Sequence, residues 1–247
     1  MSWLPEVRFI NGKTAAKQLK KLCLQQKRPS NTVSRVAIMG NGPQELLPDL
    51  SRYETMVDVW IGADRGALTL LENNITPDYA VGDFDSMPAA DIDKVRKSAE
   101  VFNQFPSEKD ETDMEIALKQ AYRLEPDKVF LLGVTGGRLD HALINIQLLY
   151  SIVGQGISGI IVDCQNIVEI TGPGTHTIKH DPDYSAVSFI PFTRFVKGLT
   201  LDGFYYKLAD QTVSWGSTLC ISNKLISDFG TFSYDEGILL VIKSRDI

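Results

Sequence analysis

The residues best suited to chemistry in this 247-residue sequence are aspartates that follow short apolar runs. Asp64 comes after Val57–Ile61, and Asp83 and Asp85 come after Tyr79–Val81. Asp110 and Asp113 come after Val101–Phe105, and Asp140 after Lys128–Leu132. If those runs are parallel strands, the carboxylates gather beyond one edge of a sheet, where open α/β folds bind ligands. Two unit charges 4 Å apart repel by about 4 kcal/mol at an effective dielectric of 20, so such a cluster calls for a cation. With no His or Cys in the group, the ligands are all oxygen, which suits magnesium or manganese rather than zinc.

The individual motifs each carry two readings. In Gly82-Asp83-Phe84-Asp85-Ser86, an extended chain would aim both carboxylates to one side while Phe84 packs inward; the plainer reading is a pair of solvated turn aspartates with Ser86 capping a helix. Thr112-x-x-Glu115 matches a capping box, with Asp113 in the first helical turn. A helix N-terminus is also a ready phosphate site, so both uses are compatible. Gly136-Gly137-Arg138-Leu139-Asp140-His141 is a glycine-rich turn whose amides could approach phosphate oxygens, and Arg138 offers a planar guanidinium fork. There is no Walker A loop and no complete dinucleotide fingerprint; Gly40-Asn41-Gly42 is only a fragment of one. His141 reads as a local hydrogen-bond partner, His176 and His180 as incidental, and Cys164 and Cys220 as core residues.

These motifs need elements to position them. Strands are expected at Arg35–Met39, Val57–Ile61, Tyr79–Val81, Val101–Phe105, Lys128–Leu132 and Gly159–Val162. Helices are expected at Gly66–Asn73, Pro88–Ala99, Thr112–Leu124 and Leu139–Val153. Strand and helix in alternation imply an α/β domain with a mainly parallel sheet covered on both faces. After Cys164 the pattern changes to short strands at Thr175–Ile178, Ala186–Ile190, Gly198–Leu201, Thr231–Tyr234 and Leu239–Ile242, separated by Gly-Pro and Asp-Pro turns. That pattern predicts a β-sandwich. The division expected is a basic, poorly ordered extension at 1–34, an α/β domain with the acidic cluster at 35–164, and a β-sandwich at 165–247.

Composition sets the class. The net charge of −6 is uneven: residues 1–35 carry eight Lys and Arg against the single Glu6, so the body is strongly acidic. An acidic body excludes broad nucleic-acid binding. The basic arm, with a short helix at Thr14–Leu24 and a linker at Lys27–Ser34, reads as a docking arm, a solvated extension or a start site placed too early. No apolar run reaches the roughly 20 residues of a membrane span, and the three scattered cysteines suggest a reducing, cytoplasmic setting.

Taken in order, Gly62-Ala63-Asp64-Arg65-Gly66, Gly82-Asp83-Phe84-Asp85-Ser86, Lys109-Asp110-x-Thr112-Asp113 and Gly136-Gly137-Arg138-Leu139-Asp140-His141 resemble the thiamine pyrophosphokinase family. Ser214-Trp215-Gly216-Ser217-Thr218 and Ile221-Ser222-Asn223 resemble that family's thiamine-binding segment. The resemblance runs from about Arg35 to the C-terminus, and residues 1–34 depart from it. It implies a homodimeric transferase that moves a pyrophosphoryl group from ATP to thiamine, with thiamine in a cleft between subunits. Asp83, Asp85 and Asp113 would hold Mg2+. Asp64, Arg65, Lys109, Asp110, Thr112, Gly136, Arg138, Asp140 and His141 would shape the nucleotide site, with Arg138 also catalytic. Trp215 would stack on thiamine, with Ser217, Ser222 and Asn223 beside it. Rival readings are a pyrophosphokinase for another heterocyclic alcohol such as a pterin, and a non-catalytic thiamine- or nucleotide-binding regulator.

Overall fold

A computed structural model describes residues 34–108 and 110–246. The basic arm expected at 1–34, Ser34 apart, and Lys109 lie outside the described residues. The chain divides into two compact units: one runs to Ile170 and takes back the tail from Ile242, and the other is Thr171–Val241.

The first unit is an α/β layer structure. Its strands are β1 (Arg35–Met39), β2 (Val59–Ala63), β3 (Tyr79–Gly82), β4 (Val101–Gln104), β5 (Lys128–Leu132), β6 (Ser158–Val162) and β7 (Asn166–Thr171). Its helices are α1 (Ser51–Glu54), α2 (Gly66–Glu72), α3 (Ala89–Ser98), α4 (Asp113–Arg123) and α5 (Leu139–Gly154). The strands lie in the order β4-β3-β2-β1-β5-β6-β7. Pairing is parallel from β4 through to β6, and antiparallel between β6 and β7. From β1 the chain first builds outward through β2, β3 and β4, then crosses to the other side of β1 to place β5. The switch point therefore falls between β1 and β5, where the diverging connections leave a crevice at the carboxyl ends of the strands.

Burial on both faces explains the apolar runs. Val36, Ala37, Ile38 and Met39 of β1 are all fully buried. Ala37 and Met39 pack with Trp60, Leu70, Phe130 and Leu132 on one face. Helix α4 begins with the expected capping box: the Thr112 hydroxyl accepts from Glu115 N at 3.2 Å, and Thr112 N donates to the Glu115 carboxylate at 2.9 Å. It buries Ile116, Ala117, Leu118 and Ala121.

The second unit contains β8 (Gly174–Lys179), β9 (Ala186–Pro191), β10 (Phe195–Asp202), β11 (Leu208–Ser214) and β12 (Phe229–Tyr234), with β13 (Leu239–Ser244) running out of it. One layer has the order β11-β10-β12-β8, with antiparallel pairing throughout. The other carries β9 beside β13. Val187, Phe189, Leu199, Val213, Phe232 and Leu239 fill the space between them. The expected sandwich is present. The structural division falls at Thr171, and Asn166–Thr171 hydrogen-bonds to β6 as the next strand of the first sheet.

Candidate active site

At the switch point lies a cavity of about 440 Å³. Its walls come from the turn after β1 (Gly40-Asn41-Gly42), the end of β2, the N-terminus of α4, and the turn from β5 into α5. Close approach of two turns builds its floor. Gly42 N donates to Gly133 O at 2.6 Å, and a Cβ on Gly42 would sit 2.7 Å from that same oxygen and 2.9 Å from Thr135 O. Only glycine permits that contact. Gly136 (φ +80°) turns the chain at the rim, and a side chain there would strike Leu46. Two helices of more than two turns, α4 and α5, start at this cavity, so their unpaired N–H groups and dipoles favour an anion there.

Among the expected carboxylates, Asp64, Asp83 and Asp113 act on one another electrostatically. Asp64 sits in the left-handed region (φ +49°) that Asp tolerates. Its Oδ2 accepts from Ser86 Oγ at 3.1 Å, while Oδ1 is buried with no hydrogen-bond partner among the described residues. Burial raises its pKa, and the nearby charges of Asp113 and Asp83 raise it further, against hydrogen bonds from Arg65 N and Ser86 that lower it. Asp64, Asp83 and Asp113 are thus electrostatically one group. The Asp85 side chain is exposed, and its N–H donates to Asp83 Oδ1 at 3.2 Å.

The segment after β3 is not extended, because Phe84 has φ +59°. A non-glycine residue there costs roughly 1–2 kcal/mol. Full burial of Phe84, stacked on Phe102 at 4.7 Å, offsets this, since burying a Phe is worth roughly 1.5–3 kcal/mol. Phe84 packs inward as expected, and the chain reverses at it between the two aspartates.

Among the described residues, no group of three His, Cys, Asp or Glu side chains is placed to hold a metal ion by itself. The donor set still fits Mg2+, which keeps several waters and is usually bound through one or two carboxylates plus substrate phosphates. The unpartnered oxygen of Asp64 supports the same fit.

The other expected residues are distributed as follows. Arg65 is exposed at the cap of α2, and Asp110 is exposed ahead of α4. Thr112, Asp113, Arg138 and His141 line the cavity. Arg138 closes its fork on Asp140, with Nε–Oδ1 3.1 Å and Nη2–Oδ2 2.5 Å. These bonds hold the Asp140 carboxyl below its usual pKa. Both side chains are exposed, so the pair can open toward an anion at little cost.

In the second unit, Trp215 is 69% exposed. A core role is thereby excluded and a bare aromatic face is left available. Ser222 is exposed in the left-handed region (φ +54°), with its N–H donating to Ser188 Oγ at 2.9 Å. Ser217 is half-buried, and its Oγ accepts from Leu219 N at 3.3 Å. Asn223 is 1% exposed. Its Oδ1 accepts from Tyr206 N and Lys224 N, both at 2.9 Å, and its Nδ2 donates to Tyr206 O at 2.8 Å. Asn223 anchors this stretch instead of presenting its amide to solvent.

His176 packs on Phe232 at 4.8 Å, as an incidental residue would. Cys220 is buried, whereas Cys164 is only half-buried at the end of β6. Met114, Ile144 and Asn145 also line the cavity, with Val134 and Thr135 of the glycine-rich turn and with Gly40–Gly42, which the sequence offered only as a fragment of a fingerprint. The glycine pair directly after the first strand was the available signal.

A doubly wound α/β unit with phosphate-ready turns and an acidic rim, followed by a β-sandwich bearing an exposed aromatic, defines a class of nucleotide-dependent transferase. The thiamin pyrophosphokinase catalytic-domain model matches residues 50–161, and the vitamin B1 binding-domain model matches residues 175–239. The thiamine pyrophosphokinase of Bacillus subtilis is 43% identical over 211 residues, covering 85% of this chain and 99% of that protein. A crystal structure of the B. subtilis protein matches with a TM-score of 0.79 at 42% identity, over 87% of this chain and all of that one. The thiamin pyrophosphokinase of Geobacillus thermodenitrificans matches with a TM-score of 0.77 at 46% identity, over 86% of this chain and 98% of that one. The chain belongs to the thiamin pyrophosphokinase family of enzymes.

Proposed function

We propose that this enzyme transfers the β,γ-pyrophosphoryl group of ATP to the hydroxyl of thiamine, giving thiamine diphosphate and AMP. The observation that carries the reading is the cavity at the β1/β5 switch point, where glycine-turn amides, two helix N-termini and an acidic rim converge. The vitamin B1 binding-domain match over residues 175–239 supports thiamine over a pterin, and the enzyme family disfavours a silent regulator.

In this reading the triphosphate lies along the Gly40–Gly42 and Gly133–Gly137 turns. Arg138 releases Asp140 and turns its fork to the phosphates, where a planar pair of donors matches two oxygens. Bound Mg2+ supplies charge neutralisation on the triphosphate, and Asp64, Asp83 and Asp113, with Asp85 at the exposed side, are the residues that would hold it. Trp215 offers its face to the cationic thiazolium, with Ser217 and Ser222 near the ring edges and Asn223 fixing the stretch that carries them. The thiamine oxygen bonds to the β-phosphorus, the α–β bridging oxygen departs with AMP, and the hydroxyl proton is lost. Positioning and electrostatics carry most of such a transfer.

Residues Arg65, Lys109, Asp110, Thr112, Gly136 and His141 belong to the proposed nucleotide surroundings. A homodimer in the cytoplasm is part of the same proposal; exposed Leu139, Leu143 and Ile144 near the start of α5 are apolar surface that assembly would cover. No helix among the described residues is long and apolar enough to cross a membrane. Incubation with ATP, Mg2+ and thiamine should yield AMP and thiamine diphosphate in equal amounts. ADP as the product, or AMP without thiamine, would overturn the proposal.

A further inference from the structure

Among the described residues of the α/β unit, the buried polar side chains are Thr69, Asn145 and Asp163. Two of them grip the same short turn, Gly133 to Gly137. Asp163 follows β6 and is 4% exposed. Its Oδ1 accepts from Gln165 N at 2.8 Å, Asn166 N at 2.6 Å and Asn166 Nδ2 at 3.1 Å. Its Oδ2 accepts from Asn166 Nδ2 at 3.2 Å and from the Thr135 hydroxyl at 2.7 Å. Asn145, in α5, donates to Val134 O at 2.9 Å, while Gly133 O accepts from Gly42 N. Three successive residues of the turn are therefore each tied to a different element.

We propose that Asp163 is a positioning residue of the nucleotide site, holding the phosphate-facing turn in its working shape through the Thr135 hydroxyl. This rests on the reading that the cavity takes ATP. Asp163 is not among the cavity-lining residues, whereas Thr135 is, so the carboxylate acts through its partner.

The physical argument is one of desolvation. A buried carboxylate must replace lost water with donors, and hydrogen bonds to an ionised acceptor are stronger than neutral ones. Several donors come from its own turn at 165–166, which any β6–β7 connection could supply. The donor from Thr135 comes from a separate strand connection, 28 residues away in sequence. That bond couples the end of β6 to the turn after β5, and it makes one arrangement of the turn preferred before any ligand arrives. Such pre-ordering improves affinity by cutting the cost of binding.

The test uses the full chain with ATP, Mg2+ and thiamine. Asp163→Asn keeps the shape and removes the charge, but a buried charge can also be needed for folding. Thr135→Val removes only the hydroxyl, and Thr135→Ser restores it. We expect Thr135→Val to raise both the Kd and the KM for ATP about tenfold, the lower range for losing a supporting partner. The KM for thiamine should stay near wild type, Tm should fall by no more than the loss of one buried hydrogen bond explains, and Thr135→Ser should recover most of both losses. Asp163→Asn, where it folds, should shift the same two ATP constants in the same direction. The inference is overturned if Thr135→Val binds ATP as wild type does, if Thr135→Ser loses as much as Thr135→Val, or if the KM for thiamine rises as much as the KM for ATP. Wild-type protein that fails to bind ATP would overturn the nucleotide reading and this inference with it; wild-type binding with an unaltered Thr135→Val overturns the inference alone.

Discussion

In the α/β unit, the polar groups that face the cavity hang from strand ends and helix N-termini, and the turns between them are tied by backbone contacts and buried side chains. In the Thr171–Val241 unit, Trp215, Ser217 and Ser222 hang from an irregular stretch between β11 and β12. That stretch is pinned to β9 at intervals: Phe189 N donates to Cys220 O, and Val187 and Asn223 exchange backbone hydrogen bonds. Between the pins its side chains face outward. The contrast follows from what each unit is proposed to bind. A triphosphate with its cation requires charges fixed to within fractions of an ångström, because electrostatic stabilisation depends on preorganised donors. A flat organic cation needs an accessible aromatic face, where attraction falls off more gently with position.

If this contrast is right, substitutions in the two units should fail differently. The largest effect is expected from Asp83→Ala or Asp113→Ala. Each should lower kcat by about 10²–10³-fold or more, as loss of a group that stabilises transition-state charge does, while the folded protein persists by circular dichroism. Comparable activity in either variant would break the account of the acidic rim. Next, Arg138→Ala should cost about 10–100-fold in kcat/KM for ATP, with thiamine affinity retained; steady-state kinetics varying each substrate in turn will show it. A smaller effect is expected in the sandwich. Trp215→Ala should raise the KM for thiamine by about 2–30-fold, the equivalent of roughly 0.5–2 kcal/mol, and leave Tm unchanged because the side chain is exposed. A large drop in Tm would mean that Trp215 supports the fold instead.

The smallest effect sharpens the comparison from the side of stability. Asp64 has its folded-state pKa raised by burial and by Asp113 and Asp83. The folded state thus keeps that proton to higher pH than the unfolded chain does. The contribution from Asp64 is fully present below the ordinary aspartate range and is lost as pH rises through the raised value. Asp64→Asn should therefore flatten the fall in stability over that interval and raise Tm at neutral pH by a few degrees, about 2–4 °C per kcal/mol for a chain of this size, while turnover drops. Thermal melts across pH in the absence of ATP and divalent cations would check this; an unchanged pH profile would show that Asp64 does not carry the strain assigned to it.

The sequence carried the fold well where one rule dominated. Apolar runs buried on both faces located β1 and β5 to the residue, and Thr112 with Glu115 located the start of α4. Strand β11 escaped notice because it is an edge strand with mostly exposed side chains, so no alternation marks it. β7 was hidden because the Asp163 turn joining it to β6 contains neither Gly nor Pro. In the site, residue types and order placed Asp64, Asp83, Asp113 and Arg138 near the strand ends. The left-handed turn at Phe84 between Asp83 and Asp85 was not legible, because it goes with burial against Phe102, a tertiary contact. Asn223 offers the same chemistry to a ligand or to a neighbouring backbone, and only the fold assigns it to Tyr206. Asp163 acts across a long sequence separation, so no local spacing could reveal it.

The most direct measurement follows the label from ATP carrying 32P at the β-phosphorus, incubated with the enzyme, Mg2+ and thiamine. Attack at that phosphorus predicts labelled thiamine diphosphate and unlabelled AMP in equal amounts. Label retained in ADP, with thiamine carrying only an unlabelled phosphate, would contradict pyrophosphoryl transfer.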